Sequence, residues 1–94
     1  MIVYPIMKEW TKVFKALGNE NRLKILRLLT KKRELPVKAI GEYIGMGIKS
    51  TSKHLIILAN LNMLQSQGKM GSVWYALHPS IRPEVHHIIH RFLK

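Results

Sequence analysis

Apolar positions recur at helical spacing along most of this chain and switch to alternation in one short stretch. Met7, Trp10, Val13, Phe14 and Leu17 fall on one side of a helix over residues 7–17, with Lys8, Lys12 and Lys15 turned away. Tyr4-Pro5 is expected to keep the first residues out of that helix as an arm, and Met7 is an alternative start. Gly18 ends the helix, and Asn19 is placed to cap the next, ENRLKILRLLTKK, whose Leu23, Ile25, Leu26, Leu28 and Leu29 form a broad apolar face. Its basic end, Lys31-Lys32-Arg33, suits the negative pole of the helix dipole. Glu34-Leu35-Pro36 reads as extended, because proline disfavours helix in the residue before it.

A compact helix over residues 37–44 follows, with Val37, Ile40 and Ile44 facing inward. Gly45-Met46-Gly47 makes a turn, and a second helix runs from Ile48 to Asn60 or Leu61, closed by Asn62 as a left-handed cap. Beyond Leu64 the period changes. QSQGKMGSVWYAL alternates about a glycine-marked centre, which predicts a β-hairpin with its tip near Lys69 and one of Trp74 and Tyr75 in the core. Pro79 and Pro83 then introduce PEVHHIIHRFLK, an amphipathic last helix. Four helices, a hairpin and a helix, mainly α with a minor β part, are expected to form one domain over residues 1–94. That order is a winged helix-turn-helix.

Residues 41–64 carry most of the functional information. Ile48, Thr51, Leu55 and Leu58 share one face of the second helix and are expected to pack on the preceding helices. Lys49, Ser50, Ser52 and Lys53 then fall on the opposite side within the first two turns. Short hydroxyls let a backbone approach a groove closely, lysines supply charge, and a helix N-terminus offers backbone donors to phosphate. A helix of this layout fits the major groove of double-stranded DNA. His54, on the flank, is a candidate phosphate contact or a partner of a backbone group. Lys69 is a candidate wing contact, or a turn lysine kept for solubility.

Charge strengthens this picture. Lys and Arg number 16 against 5 acids in 94 residues, a formal net charge of +11 that internal ion pairs cannot absorb. A polyanionic partner follows, and nucleic acid fits better than a membrane surface. No run approaches the roughly 20 apolar residues of a membrane span, and the N-terminus lacks the features of a signal peptide. A cytoplasmic location is the simplest expectation.

The hydrophobic fraction of 47% is high for so small a chain. Trp10 and Phe14 in the first helix, with Val85, Ile88, Ile89 and Phe92 in the last, exceed what one core needs. The terminal segments, residues 1–17 and 79–94, are therefore the expected interface of a homodimer. A two-fold dimer would space two recognition helices about one DNA turn, roughly 34 Å, apart.

Other chemistry is poorly supplied. The chain has no Cys and no Asp, and it carries no phosphate-binding loop. Ser50, Ser52 and His54 lack an acid or oxyanion partner, so no enzyme and no cofactor is expected. His86 and His90 lie at i, i+4, a spacing able to hold one Zn²⁺. Two imidazoles are too few, His87 points elsewhere and Glu84 is badly placed, so no metal site is assigned.

The segments FKALGNENRLKILRLL, ELPVKAIGEYIGMGIKSTSKHLIIL and GSVWYAL resemble the ArsR/SmtB family of transcriptional repressors, over roughly residues 13–77. Ala16-Leu17-Gly18 with Arg22-Leu23 and Ile25-Leu26, and Ser52-Lys53-His54-Leu55 with Leu58, carry the likeness most specifically. The resemblance implies a homodimer joined through terminal helices that binds palindromic operators and releases them on binding an inducer, often a metal ion. It also implies a DNA-reading role for Lys49, Ser50, Ser52, Lys53 and His54. Departures are specific. Pro36-Val37-Lys38 stands where the family's thiolate sensors carry Cys-Val-Cys, which removes that site and turns Lys38 toward the expected DNA side. Pro79, Ile81 and Phe92 stand where zinc-sensing members place ligands on the last helix. Gly47 replaces the usual hydroxyl cap of the recognition helix, and the wing is about one residue short and lacks arginine. The inducer is not legible. A sequence-tolerant, chromatin-like DNA-coating protein and a winged-helix protein-binding module remain alternatives to a repressor.

Overall fold

In a computed structural model, which describes residues 3–93, the chain forms five helices and a three-stranded antiparallel sheet. Helix α1 spans Val3–Leu17, α2 Glu20–Lys31, α3 Val37–Ile44, α4 Ile48–Asn60 and α5 Pro83–Phe92. Strand β1 is Leu35–Pro36, β2 Leu64–Lys69 and β3 Ser72–Leu77, in the order β1-β3-β2.

The expected N-terminal arm is helix instead. Residues 1 and 2 lie outside the described residues, and α1 already runs at Val3. Pro5 is compatible because it falls in the first turn, where backbone N–H groups have no intrahelical acceptor to lose. Gly18 N–H closes the helix on Phe14 C=O at 2.9 Å. Asn19 caps α2 as expected, its side chain accepting from Arg22 N–H at 3.1 Å.

Leu35 and Pro36 do more than extend. They pair with Tyr75 and Trp74 of β3 and so add a third strand to the hairpin. Proline is tolerated there because β1 is an edge strand, and the chain enters α3 at the next residue. The hairpin turns through Met70 and Gly71, both with positive φ (54° and 74°), between the paired residues Lys69 and Ser72. Two consecutive left-handed residues are what a tight two-residue hairpin turn needs. Lys69 is therefore the last strand residue, and the tip itself is the exposed Met70.

The core sits where α2, α3 and α4 meet the inner face of the sheet. Ile25 and Leu26 from α2, Ile40 from α3, Leu55 and Leu58 from α4, and Met63 and Leu64 are all buried. Each such side chain contributes about 1.5–3 kcal/mol of hydrophobic burial. Val13 of α1 with Val85 and Ile89 of α5 complete the cluster. Of the two hairpin aromatics, Tyr75 is buried and Trp74 is half-buried. No helix among the described residues is long and apolar enough to cross a membrane.

Candidate nucleic-acid interface

Helix α4 and the turn before it define the site. Gly45 takes a left-handed conformation (φ 74°, ψ 34°) at the end of α3, and its N–H returns to Gly41 C=O. Met46 N–H reaches the same carbonyl at 2.9 Å. Met46 is held from the other side as well, its Sδ accepting from Asn21 Nδ2 of α2 at 3.3 Å. Helix α4 then starts at Gly47, which offers no side-chain cap. The first turn closes with Thr51 N–H donating to Gly47 C=O at 3.0 Å. The N–H groups of the first turn thus have no side-chain acceptor, which leaves them available to an anion.

Helix α3 crosses α4 at Gly41 and Thr51. A Cβ on Gly41 would lie 2.8 Å from Met46 C=O and 3.0 Å from Thr51 Oγ1, so only glycine allows this approach. Thr51, Leu55 and Leu58 are fully buried along one line of α4. Ile48 is not part of it. It is 58% exposed, because it lies a full turn ahead of the Gly41–Thr51 crossing and has nothing to pack on.

The polar residues fall as the periodicity predicts. Lys49, Ser50 and Lys53 are exposed, Ser52 is half-exposed on the flank, and Lys38 is exposed in the first turn of α3. Ile56 and Ile57 are exposed too, so the outer face of α4 turns from polar to apolar along its length. Its C-terminus closes in a Schellman motif. Asn62 (φ 57°) donates to Ala59 C=O and Met63 to Leu58 C=O, both at 3.0 Å.

His54 has a definite partner, and sequence reasoning missed it. Its Nδ1 lies 3.2 Å from an Nη of Arg22. A guanidinium has no acceptor, so Nδ1 accepts and the imidazole is neutral with its proton on Nε2. The same Arg22 donates Nε–H to Ala16 C=O at 2.6 Å and its other Nη to Lys15 C=O at 3.3 Å. One guanidinium thus ties the end of α1 to the recognition helix. A signal existed: a cation in the first turn of α2 opposes the helix dipole, so Arg22 needed another reason to be there.

Burial, and secondarily the Arg22 charge, push the His54 pKa below its ordinary value. The folded protein therefore binds this proton less readily than the unfolded chain. Above the ordinary value, about 6.5, neither state is protonated and the full stability is present. As pH falls through that value toward the lowered folded pKa, the unfolded state takes up more protons and stability is lost. We expect the denaturation midpoint to drop across this window in the wild type. The loss should be smaller in His54→Gln, whose side-chain oxygen can still accept from Arg22; equal slopes in the two proteins would refute the assignment.

Lys69 is also engaged. Its ammonium pairs with the Glu34 carboxylate and lies 4.6 Å from the Trp74 ring centroid. It pins the end of β2 to the segment before β1 rather than standing free at a wing tip, which corrects the expected placement.

The terminal helices need correction as well. Val85 and Ile89 are already fully covered inside one protomer, so they have no surface left to bury against another. The open apolar surface is instead Phe14, 60% exposed, and Phe92, 73% exposed, with Met7 and Ile6 nearby on α1. Ile88 and Trp10 are half-buried. Trp10 contacts Phe14 with ring centroids 5.6 Å apart, and its ring faces the Arg82 guanidinium, which also pairs with Glu9. The His86 and His90 rings lie 4.1 Å apart at the surface. Among the described residues no three His, Cys, Asp or Glu side chains gather as a metal site.

No known family profile matches the chain. It is 39% identical over 62 residues to the cadmium resistance transcriptional regulatory proteins CadC of Listeria innocua and Lactococcus lactis, which covers 66% of this chain. The chain spans about half, 52%, of the length of these curated relatives. Among solved structures it resembles the homodimeric winged helix-turn-helix DNA-binding domain of Mb0332 from Mycobacterium bovis, a possible ArsR-family transcriptional regulator. That likeness has a TM-score of 0.78 at 26% identity and covers 92% of this chain and 76% of that one. HlyU from Vibrio cholerae follows at a TM-score of 0.77 and 25% identity, over 94% of this chain and 91% of that one. In fold, and over the aligned 62 residues, the chain is similar to winged helix-turn-helix transcriptional regulators of the ArsR kind.

Proposed function

We propose that this protein is a homodimeric transcriptional repressor that binds an inverted-repeat operator in double-stranded DNA. The observation that carries the reading is the outer face of α4. Lys49, Ser50 and Lys53 stand exposed on its first two turns, beside an uncapped N-terminus and opposite the buried line of Thr51, Leu55 and Leu58. Lysines and first-turn N–H groups take phosphates, which position the helix. Ser50 and Ser52 are the groups short enough to read base edges. Lys38 adds charge on the neighbouring helix. His54, neutral and bound to Arg22, holds α4 in place and offers Nε2–H as a donor. The wing tip contributes Met70 rather than a cation, so a phosphate contact from Lys69 requires it to leave Glu34.

For the dimer, the reading rests on the exposed Phe14 and Phe92, with Trp10 and Ile88 at their edge. The chain has no thiolate for a cysteine metal site, and no metal is assigned as its inducer. A cytoplasmic location goes with this function.

The net charge of +11 also favours a second reading, a sequence-tolerant DNA-coating protein. Selecting bound duplexes from a random pool at fixed, near-physiological salt separates the two. The repressor predicts an enriched inverted repeat. Ser50→Ala should cost about 1–3 kcal/mol on that repeat and little on unrelated duplexes. Tight binding without enrichment would favour the coating protein, and no binding at all would leave a protein-binding module.

A further inference from the structure

On the side of α1 away from the apolar dimer stripe lies an open cleft of about 360 Å³, between α1 and the C-terminal half of α4. Its lining includes Lys12, Lys15, Ala16, Arg22, Ile57 and Leu61, and no acidic residue contributes to it. Lys12 sits about 140° around the helix from Met7, so pairing protomers through Met7, Phe14 and Phe92 leaves the cleft open. Most of its wall is apolar: Ile57 is 40% exposed, and the half-buried Leu61 and the edge of Ala16 continue that surface. Three cations ring it. Arg22 uses three of its donors on Ala16 C=O, Lys15 C=O and His54 Nδ1, which leaves two of five N–H groups for a ligand.

An apolar wall with a rim of three cations and the uncharged Asn60 complements an amphipathic anion. The geometry points to this cleft as a binding site for a single-chain amphipathic carboxylate, free in solution, with an acyl tail of about ten carbons to suit the volume. The tail covers Ile57 and Leu61, and the carboxylate meets Arg22 with Lys12 or Lys15. A short anion lacks the tail, and an alcohol of the same length lacks the charge. The site has a route to function. Arg22 is the group that joins α1 to His54 on the recognition helix, and a carboxylate engaging it loosens that tie while adding negative charge beside α4. Ligand and DNA then weaken each other's binding by one common factor. This second step rests on the DNA-binding reading above; the site itself does not.

The test titrates decanoate, below its micellar concentration, into the full chain and follows backbone amide shifts by NMR. Saturable 1:1 shifts centred on Lys12, Lys15, Arg22, Ile57 and Leu61 are expected, with none from acetate and much weaker ones from decanol. Ile57→Asp, at an exposed position, should abolish saturation. Lys15→Gln, also exposed, should weaken it about fivefold, as for one partly solvated ion pair. Equal binding by Ile57→Asp, equal binding of decanol, or binding of anionic vesicles without binding of monomeric decanoate would each overturn the site. So would a Lys15→Gln variant that loses duplex affinity in a protein that decanoate does not shift, since the cleft would then be a phosphate contact. With the site established, decanoate should release a fluorescent duplex from the wild type and not from Ile57→Asp. Retention in both would overturn the coupling and leave the site standing. Absence of any duplex binding would instead fail the DNA reading alone.

Discussion

Gly41→Ala should destabilise the protein by about 1–3 kcal/mol, the usual cost of forcing a methyl into a packed core. For a domain of this size each kcal/mol lowers the melting temperature by roughly 4–8 °C. Elsewhere in a helix the same change is mildly stabilising, because alanine is the better helix former. The sign reverses here because the new Cβ would stand 2.8 Å from Met46 C=O. That oxygen is backbone in the helix-turn-helix turn and cannot rotate away. Relief requires α3 and α4 to separate, or the turn at Gly45 and Met46 to open, and Met46 is also tied to Asn21 of α2. Either movement tilts the recognition helix, so duplex binding should suffer beyond the loss of folded protein. Thr51→Val is the companion variant. The Thr51 hydroxyl is buried without a hydrogen-bond partner among the described residues, and its replacement by a methyl of the same shape should be neutral or stabilising. Thermal melts of both proteins decide the matter. A Gly41→Ala melting temperature at or above wild type would mean that the crossing has slack it is not expected to have.

Gly41 also marks where the sequence stops being readable. The two motif helices, the Asn19 cap, the Asn62 terminator and the hairpin follow from local chemistry: a period, a side chain that caps its own helix, residues that accept positive φ. These were legible because cause and effect lie within a few residues of each other. The contacts that orient the site lie far apart in sequence. Arg22 meets His54 across 32 positions, Lys69 meets Glu34 across 35, and Asn21 meets Met46 across 25. No periodicity encodes them. The strand pairing of Leu35 and Pro36 escaped for the same reason, since two residues are too few to show alternation.

Helical spacing also fixes where a side chain lies around its own axis without saying how far along that axis the core extends. Val85 and Ile89 turned inward while Phe92, only about 20° from Val85 around the axis but two turns further on at the helix end, stayed out. Ile48 had the right azimuth and the wrong height, one turn past the crossing helix. Pro5 behaves by a related rule: its effect depends on whether the helix has already begun, and in the first turn there is no hydrogen bond for it to break.

On the proposed reading, what these contacts leave exposed decides the affinity for DNA. Reversing both central charges, in Lys49→Glu with Lys53→Glu, should weaken duplex binding by about 3–4 kcal/mol, roughly 10²–10³-fold at near-physiological salt. The two lysines are one turn apart on the outermost line of α4, and neither makes an ion pair or hydrogen bond among the described residues. Their charge is therefore fully available to phosphates, whereas Lys69 is shared with Glu34. Both positions are solvated, so the unfolding midpoint should stay within about 0.5 kcal/mol of wild type. Each lysine that neutralises a phosphate releases condensed counterions. The neutral pair, Lys49→Gln with Lys53→Gln, should therefore flatten the dependence of log K on log salt by about 1.8, and the reversed pair should flatten it further. Loss must also be uniform across duplexes, because phosphates carry no sequence information. That separates these residues from Ser50, whose removal should cost affinity only on the selected repeat. If the doubly reversed protein folds normally and still binds with the wild-type salt slope, α4 does not lie against the DNA backbone, and the polyanion that answers the chain's positive charge binds another face.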